Sequence, residues 1–179
     1  MEAAMRKSRH LVLLALVAGA LAPAGAQAAD VNVNALVADG LTLSVNTPSA
    51  LALYPGQTNT SVANAIVTST AVSWTLSIKD NTGAAYPAGH TAGHMDKLSG
   101  TGPTCSAVGS FAGTLSELDS ALSWSATGGN SGTLTGSNQT VKTGSLIQTV
   151  PITYSQPIGA SEAVAANDCY RVVITYTAS

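Results

Sequence analysis

The sequence predicts an all-β protein, and three observations carry that reading. The 179-residue chain is 45% hydrophobic but only 9% charged, so it can build a core while lacking the Lys, Glu and Arg that cover helices in water. Thr, Val, Ser and Gly are frequent instead, the residues of strands and turns. Short runs of polar–apolar alternation, closed by Gly, Pro or Asn, recur from Val31 to the C-terminus, the period of strands with one wet face. Abundant apolar residues with few charges exclude wholesale disorder. A net charge of −2 argues against a nucleic-acid partner, because phosphate binding needs clustered Lys and Arg.

The N-terminal residues read as a secretory signal peptide over residues 1–28. Arg6, Lys7 and Arg9 form a positive start, Leu11 to Leu21 is an apolar stretch too short to span a bilayer, and Pro23 and Gly25 precede the small-residue pattern Ala26, Gln27, Ala28. Cleavage after Ala28 leaves four basic residues, Lys79, Lys97, Lys142 and Arg171, against eight acidic ones. Mild acidity suits a soluble exported domain and opposes simple electrostatic attachment to anionic polymers or lipid head groups. No second apolar run is long enough to cross a membrane, so the mature chain is expected to have no span. Export also decides the cysteines: Cys105 and Cys169, with no third thiol, are expected to form a disulfide.

Residues 29–179 read as a single domain. Leu41, Leu43 and Val45 alternate with Thr42 and Ser44, and Leu51, Leu53 and Tyr54 lead into the Pro55–Gly56 turn; both read as strands. Val62 to Thr70 is followed by the cleanest strand, with Val72, Trp74, Leu76 and Ile78 on one face and Ser73, Thr75, Ser77 and Lys79 on the other. The texture from about residue 80 to 113 becomes Gly, Ala, Thr, Pro and His, a loop-rich excursion carrying Cys105. Alternation resumes at Leu122, Trp124 and Ala126 and stops at the turn signal Gly128, Gly129, Asn130. Thr133 to Val141 gives two short pieces or one bulged strand. Pro151 within Leu146 to Tyr154 suggests an edge strand or a bulge, Gln156 to Asp168 permits one helical turn, and Cys169 to Thr175 closes the chain as a strand running to Tyr176. About nine short strands with almost no helix imply an immunoglobulin-like antiparallel β-sandwich behind an N-terminal signal helix.

No catalytic residue or cofactor is expected. His90 and His94 have the i, i+4 spacing of a helical metal pair, but Thr91, Ala92 and Gly93 between them will not hold a helix and no glutamate follows His90. His90, His94 and Asp96 remain the candidates for a loop metal site, and hence for a metal hydrolase, with a solvated turn favoured over them. The acids Glu117, Asp119 and Glu162 have no spacing that singles them out for sugar hydrolysis. Trp74 and Trp124 lie on the apolar faces of their strands and read as core, while Tyr54, Tyr86 and Tyr154 lie nearer strand ends and are expected to be more exposed.

Trp74, Thr75 and Leu76, together with the terminal run Tyr170 to Tyr176, resemble the two motifs of WxL-domain proteins of Gram-positive cell surfaces. The resemblance covers about Leu41 to Ser179 and implies a secreted, non-enzymatic domain held non-covalently to the cell wall. Peptidoglycan or wall polysaccharide is the implied partner, and Trp74, Leu76, Tyr154, Tyr170 and Tyr176 are the candidate binding residues. The second motif departs from the family pattern: Tyr176, Thr177 and Ala178 stand where it closes with another Trp-x-Leu. The chain is also similar to pilin- and coat-like subunits, in which a donated strand completes a neighbour's sheet, so that other surface proteins or further copies of the chain are the alternative partners. The alternating segment Asp30 to Val37 would be the donor, or else the first strand of its own sheet.

Overall fold

The computed structural model describes residues 27–30, 35–36, 40–70, 73–101, 105 and 110–179. The expected leader therefore lies outside the described residues, except for Gln27 and Ala28. Among the described residues twelve strands follow in order: β1 (Gln27–Asp30), β2 (Ala35–Leu36), β3 (Thr42–Val45), β4 (Thr58–Thr68), β5 (Trp74–Asp80), β6 (Asp96–Thr101), β7 (Ser123–Ala126), β8 (Ser131–Thr133), β9 (Gln139–Gly144), β10 (Gln148–Pro157), β11 (Asp168–Arg171) and β12 (Ile174–Ala178). There is no α-helix among the described residues. Thr- and Val-rich alternating runs fold as the sequence predicts, because each puts one apolar row on a common core and one hydroxyl row in water.

The strands form a four-stranded sheet, β1-β12-β5-β9, a six-stranded sheet, β2-β3-β4-β10-β7-β8, and a two-stranded β11-β6 ribbon. Every strand pairing is antiparallel. One buried cluster draws on both larger sheets: Trp74, Leu76, Ile78, Val141 and Tyr176 from the first, Leu43, Ala65, Val67, Trp124, Val150 and Ile152 from the second. A smaller cluster, Leu98 and Cys169 with Cys105 and Phe111 against them, sits by the ribbon. The described parts of the segment from Asp30 to Val37 pair within the chain, Asp30 opposite Thr175 on β12 and Ala35 opposite Leu43 on β3.

Four expectations about elements are corrected. Leu51 to Tyr54 is not a strand, because β4 already has β3 and β10 on its two sides and offers that run no free edge. Gln156 to Asp168 contains no helical turn: Glu162 N–H donates to the Gly159 carbonyl while the Glu162 carboxylate accepts from Gly159 N–H, a closed local turn that competes with helix. The terminal run is broken into β11 and β12, which belong to different sheets. At the break, Val173 N–H donates to the Tyr86 hydroxyl and the Val173 carbonyl accepts from Asn81. Finally, β10 is central despite Pro151, which stands opposite Asn64 on β4. Its carbonyl accepts from Thr127 N–H just past the end of β7, so the proline nitrogen faces the side where ladder pairing has stopped.

A polar contact joins the two larger sheets across the core. The hydroxyls of Tyr154 on β10 and Tyr176 on β12 are hydrogen-bonded to each other, and both side chains are buried. Burial pushes the Tyr176 hydroxyl up to about 12, and burial together with Tyr176 pushes Tyr154 well up. A folded-state pKa above the unfolded value of about 10 means that the unfolded chain loses these protons first as pH rises. Stability from Tyr176 is therefore complete below about pH 10 and falls between about 10 and 12, by about 1.4 kcal/mol per pH unit, and the raised Tyr154 hydroxyl adds a loss of the same sign. Urea midpoints measured from pH 9 to 11.5 check this, and Tyr176→Phe should flatten the decline.

Candidate functional site

Two regions concentrate unusual features. The first surrounds the Trp-x-Leu motif. In β5 the residues alternate strictly between buried and half-buried, with Trp74, Leu76, Ile78 and Asp80 inward. The motif-bearing strand lies beside the C-terminal one, Leu76 opposite Ala178 and Ile78 opposite Tyr176. Trp74 is 2% exposed, and its indole N–H donates to the Leu146 carbonyl at 3.0 Å. The indole lies over Gly144: a Cβ at that position would come within 2.4 Å of the ring, so only glycine admits the tryptophan there.

Leu146 belongs to the connection Ser145, Leu146, Ile147, which carries the chain from β9 in the four-stranded sheet to β10 in the six-stranded one. It is held at φ 55°, a left-handed conformation that costs a branched residue free energy. The strain is sustained by the Trp74 hydrogen bond on one side and by Gln148 Nε2, which donates to the Ser145 carbonyl, on the other. The result is a pinned crossover with Leu146 66% and Ile147 68% exposed. A shallow polar cleft lined by Gly128, Gly129, Asn130, Thr140, Lys142 and Thr143 includes the β9 residues that lead into this crossover.

Of the candidate binding residues, Trp74, Leu76, Tyr154 and Tyr176 are buried in the core and Tyr170 is half-buried on β11. Tyr154 is thus not an exposed strand-end residue, because the alternation of β10 turns it inward. The motif side chains build the sheet, and the surface they support is at the crossover. Leu146 and Ile147, expected in one strand with Tyr154, lie instead before β10 at the crossover. The signal was Gly144 followed by Ser145, a breaker pair just before two aliphatics.

The second region is a polar cluster at the foot of the same strand. Asp80 continues the inward row of β5 and is fully buried. Its Oδ1 accepts from the Tyr86 hydroxyl at 3.0 Å, and its Oδ2 accepts from Gly93 N–H at 2.6 Å and faces His90 Nε2 at 3.0 Å. Tyr86 and His90 are stacked, with centroids 3.6 Å apart and planes 3° from parallel. Burial raises the Tyr86 hydroxyl far above its ordinary value, which keeps its proton available for Asp80. Gly93 has φ 90°, and a Cβ there would lie 2.0 Å from the Leu134 carbonyl oxygen, so glycine is required for this approach.

The other ring nitrogen of His90, Nδ1, lies 2.6 Å from Glu117 Oε1, which also accepts from Thr91 N–H. The N–Oε1 contact is out of line for a hydrogen bond, leaving Nδ1 buried without a hydrogen-bond partner. Asp96 is buried at the start of β6: its Oδ1 accepts from Lys97 N–H and Ser116 N–H, and its Oδ2 has no partner. Among the expected loop ligands, the structure thus brings His90 and Asp96 together, with Glu117 as the third member. His94 is elsewhere engaged, its Nδ1 against the Leu118 carbonyl at 2.7 Å. The cluster is neither a helical pair nor a solvated turn, since the His90 side chain is only 6% exposed.

The excursion is fastened to the C-terminal part of the chain. Cys105 and Cys169 form a disulfide with their Cα atoms 5.3 Å apart, and Lys97 Nζ bonds Asp168 Oδ2 at 2.7 Å. Phe111 lies against Tyr86 and beneath the Arg171 guanidinium. No protein-family model matches the chain, and neither curated proteins nor solved structures give a match.

Proposed function

We propose that the chain is an exported, non-enzymatic β-sandwich domain of the bacterial cell surface, of immunoglobulin-like type, which attaches non-covalently to cell-wall polymer. The observation that carries this reading is the pinned crossover: Trp74 of the WxL-like motif holds Leu146 in a left-handed conformation and keeps two aliphatic side chains in water. A strained segment that exposes apolar side chains is destabilising by itself, and such features collect at binding surfaces. The adjoining cleft supplies hydroxyls, an amide and the Lys142 ammonium, a set suited to a hydroxylated, carboxylate-bearing wall polymer. Adjacency of the two motif strands supports the WxL-like reading, and the disulfide suits an oxidising compartment.

The experiment is sedimentation of the purified chain with peptidoglycan sacculi stripped of protein. Saturable co-sedimentation supports wall attachment. A chain that stays wholly in the supernatant while folded overturns it, and concentration-dependent oligomers in that supernatant would favour the strand-donating subunit instead.

A further inference from the structure

We propose that His90, Asp96 and Glu117 bind a divalent transition-metal ion, with zinc the best fit, and that the ion staples the excursion between β5 and β7. One ligand atom from each of the three lies within 4.8 Å of the others. Proximity of acids alone does not make a site, and the weight rests on the orphaned atoms. Asp96 is 0% exposed, its Oδ1 is held by two backbone N–H groups, and its Oδ2 is buried with no partner. Such an oxygen is costly unless something positive meets it.

His90 is oriented as a metal ligand. Its Nε2 faces the buried Asp80 carboxylate, the outer-shell arrangement that fixes the ring of most ligating histidines, and this directs Nδ1 toward Asp96 and Glu117. Asp80 is in turn held by Tyr86 and Gly93, and the stacked Tyr86 ring keeps the imidazole from rotating. Nδ1 and Glu117 Oε1 are 2.6 Å apart, whereas two ligands on one tetrahedral ion of ~2.0–2.1 Å bonds stand roughly 3.4 Å apart. Binding therefore moves Glu117 outward by less than about 1 Å. It is the member best able to move, with its side chain 12% exposed and its residue outside the twelve strands, between β6 and β7. One imidazole and two carboxylates suit zinc, cobalt or manganese better than the all-oxygen preference of calcium or magnesium. Three protein ligands leave a fourth position for water.

The staple links the loop after β5, the start of β6 and the chain after it, and is independent of wall binding. The test is titration of the EDTA-treated, dialysed chain with zinc chloride, followed by heat capacity scanning, and with cobalt chloride, followed by absorption spectroscopy. One equivalent of zinc should bind and raise the melting temperature by about 5 °C at a hundredfold excess over Kd, and cobalt should give the visible bands of a nitrogen–oxygen site. Glu117→Gln, at the outer member and so safest for folding, should weaken binding at least about tenfold, and His94→Ala should leave it unchanged. Absence of binding by the folded wild-type chain up to about 1 mM zinc, or binding that Glu117→Gln leaves unaltered, overturns the assignment. The first outcome would make the cluster a purely protein-internal His–carboxylate network, and the second would place the ion elsewhere.

Discussion

Trp74→Ala is expected to lower the stability of the chain by about 5 kcal/mol, combining the lost burial and residual cavity of a large aromatic with one lost hydrogen bond. The side chain is among the largest fully enclosed in the molecule, and three separate features depend on it: the core between the sheets, the space over Gly144, and the donor to Leu146. Most domains are stable by only about 5–15 kcal/mol, so the variant should lose a third or more of its stability and unfold at a much lower urea concentration. Trp74→Phe separates the contributions. It keeps most of the packing, removes the indole N–H, and should cost about 2 kcal/mol. Urea unfolding followed through Trp124, which stays buried in the same core, measures both. A Trp74→Ala variant within about 1 kcal/mol of the wild type would mean that the motif tryptophan is not a structural anchor.

Removing the disulfide, by Cys105→Ser with Cys169→Ser, is expected to cost about 4 kcal/mol. The bridged residues are 64 apart in sequence, and releasing a loop of that length restores about this much freedom to the unfolded chain. Some loss falls on the native state as well, because Cys169 is wholly buried against Leu98 and serine would place a hydroxyl there. The damage should be local before it is global. The ribbon of β6 and β11 keeps the Lys97–Asp168 ion pair, whereas the four- and six-stranded sheets share a core that does not include either cysteine. Proteolysis should therefore cut within the excursion first, before the two large sheets open. Equal urea midpoints for the double-serine variant and the disulfide-bonded chain would contradict the loop argument.

Alternation was enough to find the strands that face the shared core. Trp74, Leu76 and Ile78 on β5 and Trp124 on β7 lie inward as their spacing predicts, and the two cysteines form the disulfide expected of a lone pair of thiols. Three features were less legible because long-range pairing decides them. Nothing local in Leu51 to Tyr54 reveals that its would-be neighbours are already paired, and nothing local in Pro151 reveals that β7 ends beside it. The split of the terminal run depends on Tyr86, 87 residues away from Val173.

The polar cluster was partly readable. Asp80 occupies the next inward position after Ile78, so the period alone buries a carboxylate there and demands partners for it. Asp96 and Leu98 repeat the pattern on β6. Glu117 could not be chosen over Asp119 or Glu162 from sequence, because its place beside His90 is set by the bridge between Asp96 and Glu117 that closes the excursion on itself. Asp119 and Glu162 are used differently, with Glu162 accepting from the backbone N–H of Asp119.

If the exposed crossover that Trp74 sustains is the wall-attachment surface proposed above, the variant Leu146→Gly with Ile147→Ser should separate binding from stability. Glycine adopts the left-handed conformation freely, so the variant should be as stable as the wild type or about 0.5 kcal/mol more stable, strain relief outweighing the extra freedom of the unfolded chain. Sedimentation of this folded variant with protein-free sacculi is the deciding measurement. Affinity should fall about tenfold, equivalent to about 1.4 kcal/mol, with an unchanged or higher urea midpoint. Undiminished binding by the variant would contradict it.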